Sequence, residues 1–382
     1  MNSRGKQAIL GAGGGGQVFA ADLALRGYEV SIFDVPEFYD STIKPIQKQN
    51  GIYLTTEPYV GNAVPTGFAH VQASTEMKKA VDGAEIIHII VPAYAQNRFF
   101  KELAPLLEGD QIVLVHPGYL GTLELSKLLD KRQKETVVLA EAQTMLYNAR
   151  NKGPAHAWAF GIKAQYQIAA FPGRMTRKII APIQKAFPFP KILPGRNVLE
   201  VHLNNFALAA HPSVLLNTGW IEHTAGNFSF WGDGMTPGVT RVVDALDSER
   251  TATQSALGFE PISLGAWLIR LYNQYGAKGS TSSEVWQNCR NLKLGYTPKI
   301  IGGKKHPITY VDQDVPYLLM SLTSIAGCVG VPTPHSKLIS DLACLVNDVD
   351  YWKEARTLKK LGLGNLDKEK LLNFFDEGMP VS

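Results

Sequence analysis

Cysteine is scarce in this chain. Only Cys289, Cys328 and Cys344 occur among 382 residues, an odd number with no C-x-x-C pair. That argues against a disulfide framework or a thiolate metal site and fits the reduced thiols of a cytoplasmic protein. A strong charge of one sign is also lacking. The net charge is +4, and lysines and arginines are scattered apart from short pairs such as Lys304–Lys305 and Lys359–Lys360. Nucleic acid and membrane surfaces are therefore not expected partners. No apolar run is long enough to span a bilayer. The start, MNSRGKQ, runs straight into the first predicted strand, so no signal peptide is expected. His202, His223 and His306 share no ligand spacing with one another or with His211, so no metal site is expected. Neither internal repeats nor low-complexity tracts are present.

Glycine, by contrast, is concentrated near the start. In KQAILGAGGGGQVFAADLALRGYEVSIFD an apolar run at Ala8–Leu10 meets a glycine cluster. A helical pattern follows over Val18–Leu25, and a second apolar run stops at Asp34. Gly11, Gly13 and Gly16 fall in the G-x-G-x-x-G register. The first permits a tight turn, the second a close approach to a pyrophosphate, and the third close helix–strand packing. The helix start adds free N–H groups and the positive end of its dipole. Asp34 lies about 20 residues on, where a carboxylate accepts hydrogen bonds from a ribose hydroxyl and repels a 2′-phosphate. The pattern predicts a dinucleotide site that prefers NADH and still leaves NADPH open. A turn serving helix packing alone would not need four consecutive glycines, each with its own entropy cost.

The length suggests two domains, and 45% apolar residues provide for a sizeable core. The stretch from Asp34 to Ser74 is hard to place; a helix and a hairpin containing IYLTT are expected there. Beyond it, strands at Ile86–Val91, at QIVLV and at Val137–Glu141 alternate with helices at Met77–Val81, Gln96–Leu107 and Thr122–Asp130. This alternation argues a doubly wound parallel sheet, with the loop after Pro92 at a strand's carboxyl end, where such sheets bind ligands. AHAWAFGIKAQYQIAAFP reads as further strands and Thr176–Phe187 as a helix. FPFPKILPGRN, with its three prolines, reads as the boundary. Helices are then expected near 198–224, 237–257, 262–274, 314–329, 334–347 and 367–376. The expected fold class is an α/β N-terminal Rossmann domain over 1–190 followed by an all-α C-terminal domain over 195–382.

Two stretches of the second domain carry polar groups that need a reason. His211 precedes Pro212 inside a long apolar helical pattern, where an interior proline costs about 3 kcal/mol and kinks the helix. A hydrogen-bonded core histidine would also satisfy that pattern. Asp314 stands before a predicted helix with Pro316 in its first turn, which reads as an N-cap. Trp220 and Trp231 read as core or cleft wall.

The ordered blocks GAGGGGQVFAADLALRG, VPAYAQ, HPGYLGTLEL, LYNAR, AAHPSVLLNTGWIE, DALDSERTATQSALG and DVPYLLMSLTSIAGCVGVPTP resemble the opine dehydrogenases, the octopine and nopaline dehydrogenase family. The resemblance implies a Rossmann domain, a helical domain and an active site in the cleft between them. It implies an NAD(P)H-dependent condensation of an amino acid with a 2-oxo acid, reduced to a secondary amine dicarboxylate. A hydroxy-acid dehydrogenase and a non-catalytic NAD-binding sensor are the rival readings. His211 and Asp314 match the family's catalytic pair. Gln17, Val18, Val91, Pro92, Ala93 and Pro117 join Gly11, Gly13, Gly16 and Asp34 as candidate coenzyme contacts. Arg150, His116, Tyr147 and Asn217 are the candidate substrate contacts. Thr309 stands where family members commonly carry an arginine that can bind a substrate carboxylate. A homodimer is what relatives suggest.

Overall fold

The alternation of short apolar runs and helices folds into a sheet. A computed structural model describes residues 4–227, 229–289 and 309–378, with the backbone alone at 309. His306, the pair Lys304–Lys305 and the side chain of Thr309 lie outside the described residues. The chain divides into two units, 1–201 and 202–382.

Unit 1 contains strands β1 (Lys6–Leu10), β2 (Glu29–Phe33), β3 (Ile52–Thr56), β4 (Gly67–Ala69), β5 (Gln72–Ser74), β6 (Ile86–Ile89), β7 (Ile112–Val115), β8 (Val138–Ala142), β9 (Tyr147–Gly153), β10 (His156–Ile162), β11 (Gln165–Phe171) and β12 (Lys191–Pro194). The large sheet runs β12-β11-β8-β7-β6-β1-β2-β5. Its pairs are parallel except β8 with β11. The order reverses at β1, which is flanked by β2 and β6. This is the switch point of a doubly wound sheet, where the carboxyl ends of the strands open a crevice. Ile86, Ile87 and Ile89 of β6 are all buried, as a central parallel strand covered on both faces requires.

A second sheet, β4-β3-β10-β9, was not expected as a separate layer. Its strands are short or polar on one face, so their periodicity is weak. The helix α1 (Gly14–Leu25) packs between the two sheets. Val18, Phe19 and Leu23 share one core with Ile9, Ile32 and Leu114 of the large sheet and Leu54, Ala157 and Ala159 of the small one. Burial on both sides explains why α1 is apolar nearly all round. The expected boundary segment is also part of unit 1: Lys191–Pro194 is β12, parallel to β11 at the sheet edge, a position that tolerates proline.

The described residues of unit 2 are largely helical. Pro237–Leu257 and Pro334–Asn347 match their expected spans, and Leu264–Tyr272 and Lys368–Glu377 lie close to theirs. Two expected helices are instead composite. The stretch 198–224 breaks into Val198–Leu203, Ala207–Ala210, a 3-10 turn at Pro212–Asn217 and Thr218–His223. The missing N–H of Pro212 ends the α-helical ladder there. The other helix starts earlier, at Thr309–Asp314, widens into a π turn at Val315–Leu319 and resumes over Met320–Cys328. Pro316 lies in the widened turn rather than the first turn of a helix, and the looser ladder accommodates it. Inside unit 2 the fully buried Arg250 donates to Asp247 at 2.8 Å and 2.6 Å, to the Leu203 carbonyl at 2.9 Å and to the Ile262 carbonyl at 2.5 Å. Asp247 in turn accepts from the Leu264 N–H at 2.7 Å. One guanidinium thus joins three helical segments. Among the described residues no helix is long and apolar enough to cross a membrane.

Candidate active site

In unit 1 the glycine turn has the geometry its spacing implies. Gly11 adopts φ +107°, a region open to glycine. A Cβ on Gly16 would come within 1.8 Å of the Gly11 carbonyl oxygen, whereas one on Gly13 would meet nothing within 4 Å. Gly16 is thus fixed by packing inside the protein, and Gly13 faces open space. Gly13 caps α1 with no side-chain hydrogen bond, so the first N–H groups of the helix keep their anion-binding capacity. Asp34 closes the turn from the end of β2. Its Oδ2 accepts from the Ala12 N–H at 3.0 Å and its Oδ1 from the Val35 N–H at 2.9 Å. Burial raises its pKa, against the lowering effect of those two backbone bonds and of Thr42.

The other candidate coenzyme contacts separate into two groups. Pro92 precedes the helix Ala93–Leu103 at the exit of β6, and Pro117 lies in the turn after β7, both at the carboxyl edge. Val91 packs inward toward Gly11, with its Cγ1 2.7 Å from where a Cβ on that glycine would stand. Two members of the group are corrected. Val18 is a fully buried core residue, because its position in the first turns of α1 faces the sheets. Gln17 is buried and donates to the Ala12 carbonyl at 2.9 Å, so its side chain supports the turn from behind.

Two of the candidate substrate contacts are corrected in the same way. His116 is buried, its Nε2 3.0 Å from His88 Nδ1 and its Nδ1 2.5 Å from the Tyr166 hydroxyl. His88 Nε2 lies 2.8 Å from Gln7 Oε1. With the glutamine oxygen accepting, donation runs one way: Tyr166 to His116, His116 to His88, His88 to Gln7. Every ring nitrogen is used with both imidazoles neutral. Burial pushes the His88 pKa down to about 3 and that of His116 well below the usual range. Tyr147 is likewise buried and donates its hydroxyl to Asp22 of α1. Arg150 lies on β9 opposite Trp158 of β10, on the face away from Ala157 and Ala159, which enter the core.

In unit 2 the break at Pro212 places the His211 imidazole against the carboxylate of Asp314, with Nδ1 2.5 Å from Oδ2. The two residues are 103 positions apart. Asp314 is fully buried, and the His211 side chain retains 17% exposure. The N-cap reading of Asp314 is not borne out: it makes no cap bond, and its carboxylate holds the ring instead. With Nδ1 engaged, Nε2 is the nitrogen that can face a reactant. Sequence reasoning offered Trp231 as core or cleft wall but missed Tyr310 and Phe206, which surround this ring with it. Tyr310 lies over it with ring centroids 4.1 Å apart, Trp231 is at 5.4 Å and Phe206 at 6.2 Å. Trp231 Nε1 donates to the Tyr310 hydroxyl at 3.3 Å, and Trp231 stacks on Trp286 at 4.8 Å. Trp231 is therefore site wall as well as core, whereas Trp220 is 42% exposed. Asn217 is buried and donates to the Gly234 carbonyl at 3.4 Å, which ties the His211 segment to the turn that carries Trp231.

Residues 194–347 match the family model described as NAD/NADP octopine/nopaline dehydrogenase, alpha-helical domain. The chain is similar to the opine dehydrogenase of Arthrobacter sp. (strain 1C), 29% identical over 361 residues, which cover 94% of this chain and 95% of that one. It is 25% identical to the ocs protein of Agrobacterium tumefaciens (strain Ach5) over 363 residues, 94% and 95% of the two chains. A solved structure of octopine dehydrogenase with NADH and L-arginine shares the fold, with a TM-score of 0.75 over 99% of both chains at 15% identity. The family model spans both the segment carrying His211 and the one carrying Asp314, and the two relatives extend the match to 94% of the chain. Over residues 194–347, and along most of its length, the chain is thus similar to the octopine and opine dehydrogenases.

Proposed function

We infer that the protein is an NADH-dependent opine dehydrogenase, joining an amino acid to a 2-oxo acid and reducing the imine to a secondary amine dicarboxylate. The observation that carries this reading is the 2.5 Å contact between His211 and Asp314, built from the two blocks that match the family's catalytic pair. NADH, when bound, supplies the hydride. The open space at Gly13 and the uncapped start of α1 fit its pyrophosphate. Asp34 fits a ribose diol and disfavours a 2′-phosphate.

The chain's own groups account for the proton traffic. Asp314 accepts from Nδ1–H and so fixes the tautomer of His211. A protonated ring would carry its second N–H at Nε2. His211 Nε2 can then donate toward a carbonyl or imine, withdrawing electrons from the carbon that is to be reduced, and can take a proton back from an attacking amine. The aromatic wall of Tyr310, Trp231 and Phe206 limits water around the ring, which strengthens these interactions.

We also read the protein as cytoplasmic, on three cysteines that form no disulfide, and as a homodimer, on the family resemblance. The activity is tested by offering NADH with a matrix of amino acids and 2-oxo acids. Absorbance of the reduced coenzyme and the mass of the product are the readouts. The expected result is oxidation that needs amine and oxo acid together and runs better with NADH than with NADPH. Oxidation with the oxo acid alone would identify a hydroxy-acid dehydrogenase. Coenzyme binding with no turnover across the matrix would identify a sensor.

A further inference from the structure

A buried carboxylate at the end of β8 has no part in the chemistry above. Along β8, Val138, Ala140 and Ala142 enter one core and Leu139 the other. Glu141 shares the Leu139 face and is fully buried. A carboxylate there carries a large desolvation penalty unless it is well hydrogen-bonded. Three of its hydrogen bonds go to one place. Oε2 accepts from the Leu120 N–H at 2.9 Å, and Oε1 accepts from the Thr122 N–H at 2.9 Å and the Thr122 hydroxyl at 2.6 Å.

These donors form the turn that follows β7 at the carboxyl edge of the sheet. Tyr119 and Leu120 in that turn have φ +57° and +61°, a region that non-glycine residues enter at a cost of about 1 kcal/mol or more each. Gly118 gives the carboxylate its space, since a Cβ there would lie 2.0 Å from Glu141 Oε2. A second buried side chain, Gln96, donates to the Pro117 carbonyl at 3.1 Å. Gln96 belongs to the helix Ala93–Leu103, so it ties the turn after β7 to the exit of β6.

In a doubly wound sheet the dinucleotide crosses the switch point. Its adenosine half lies toward the strand that ends in the ribose-binding acid, and its nicotinamide half toward the strands on the other side. Here those are β2 with Asp34 and β6 with β7. We propose that Glu141 is a positioning residue: through Leu120 and Thr122 it holds the turn 116–122 in the shape that receives the nicotinamide half of the coenzyme. This rests on the coenzyme reading given under Proposed function. Glu141 itself touches no reactant. It acts by keeping a strained turn in one conformation before binding, so that the ordering cost is not taken from the affinity.

The test compares NADH with ADP-ribose, which carries the adenosine half and the diphosphate but no nicotinamide. Glu141→Gln keeps the shape of the side chain but turns an NH2 group toward N–H donors. It should weaken NADH about tenfold, as expected for loss of a charge-assisted bond. ADP-ribose affinity should stay unchanged, and the KM for the amine at saturating NADH should hold. Thr122→Val removes only the hydroxyl bond and should shift NADH the same way by less; it decides the matter if Glu141→Gln does not fold. Unchanged NADH affinity in the folded variant overturns the proposal. So does a parallel loss of NADH and ADP-ribose binding, which would mark Glu141 as a general structural group. Wild-type binding of NADH without turnover would sink the proposed activity but not this inference.

Discussion

At the scale of single residues, the site depends on one contact. His211 is held by Asp314 through Nδ1, and the residual exposure of its ring leaves Nε2 for reactants. His211→Asn should therefore reduce kcat by about 10²–10⁴-fold, the usual range for a positioned acid–base group. The Kd for NADH, read by fluorescence titration, should not move, because the glycine turn and Asp34 are elsewhere in the chain. Sequence alone left His211 balanced between a core histidine and a catalytic one. The contact with Asp314 supports the second reading, and no local pattern announces a partner 103 residues away. For His116 and Tyr147 the reverse holds. They sit in blocks that look functional, yet their polar atoms are consumed inside the core by Tyr166, His88 and Asp22.

At the scale of elements, two glycines in one turn should respond differently. Gly16→Ala would press a Cβ into the Gly11 carbonyl and should cost about 3 kcal/mol of stability, at the upper end for overpacking. Gly13→Ala has open space and φ −67°. It should leave the melting temperature unchanged while weakening NADH about tenfold, since the added methyl stands where the pyrophosphate must approach. The register of the motif was legible in the sequence, and so was the division between Gly16 for packing and Gly13 for a close approach, because the spacing carries both. In unit 2 the joint made by Arg250 is the corresponding test. Arg250→Lys exchanges a fixed fork of donors for a single ammonium. Urea unfolding should show a loss of about 2 kcal/mol, the range for leaving buried acceptors such as the Leu203 and Ile262 carbonyls without a donor.

At the scale of the whole molecule, stability should fall toward acid. Burial holds His88 and His202 at about 3 and His116 well below 6.5. Each takes up a proton on unfolding as the pH drops below 6.5. Asp22 opposes them: burial raises it to about 6 from 3.8, so it releases a proton on unfolding between those values. Asp34, also raised by burial, opposes them in the same direction, so three protons bound against at most two released leave a net uptake. Each net proton lowers stability by about 1.4 kcal/mol per pH unit. The midpoint of thermal unfolding should therefore fall steadily from pH 6.5 to pH 4, and a flat profile would mean that the buried histidines take up no protons on unfolding.

The sequence by itself determined the parallel α/β sheet, the glycine turn with Asp34 at its far side, and the helical character of the second unit. These are set by periodicity and by local turn chemistry, which act over a few residues. Only the tertiary structure decided that β3, β4, β9 and β10 form a second sheet over α1. The same is true of the widened turn after Asp314, of Tyr310 and Trp231 as the walls around His211, and of Glu141, which reaches a turn some twenty residues earlier. Each of these depends on which distant side chain meets a buried polar atom or strand edge. A buried group must find its partner in space, and nothing in its own neighbourhood along the chain records where that partner lies.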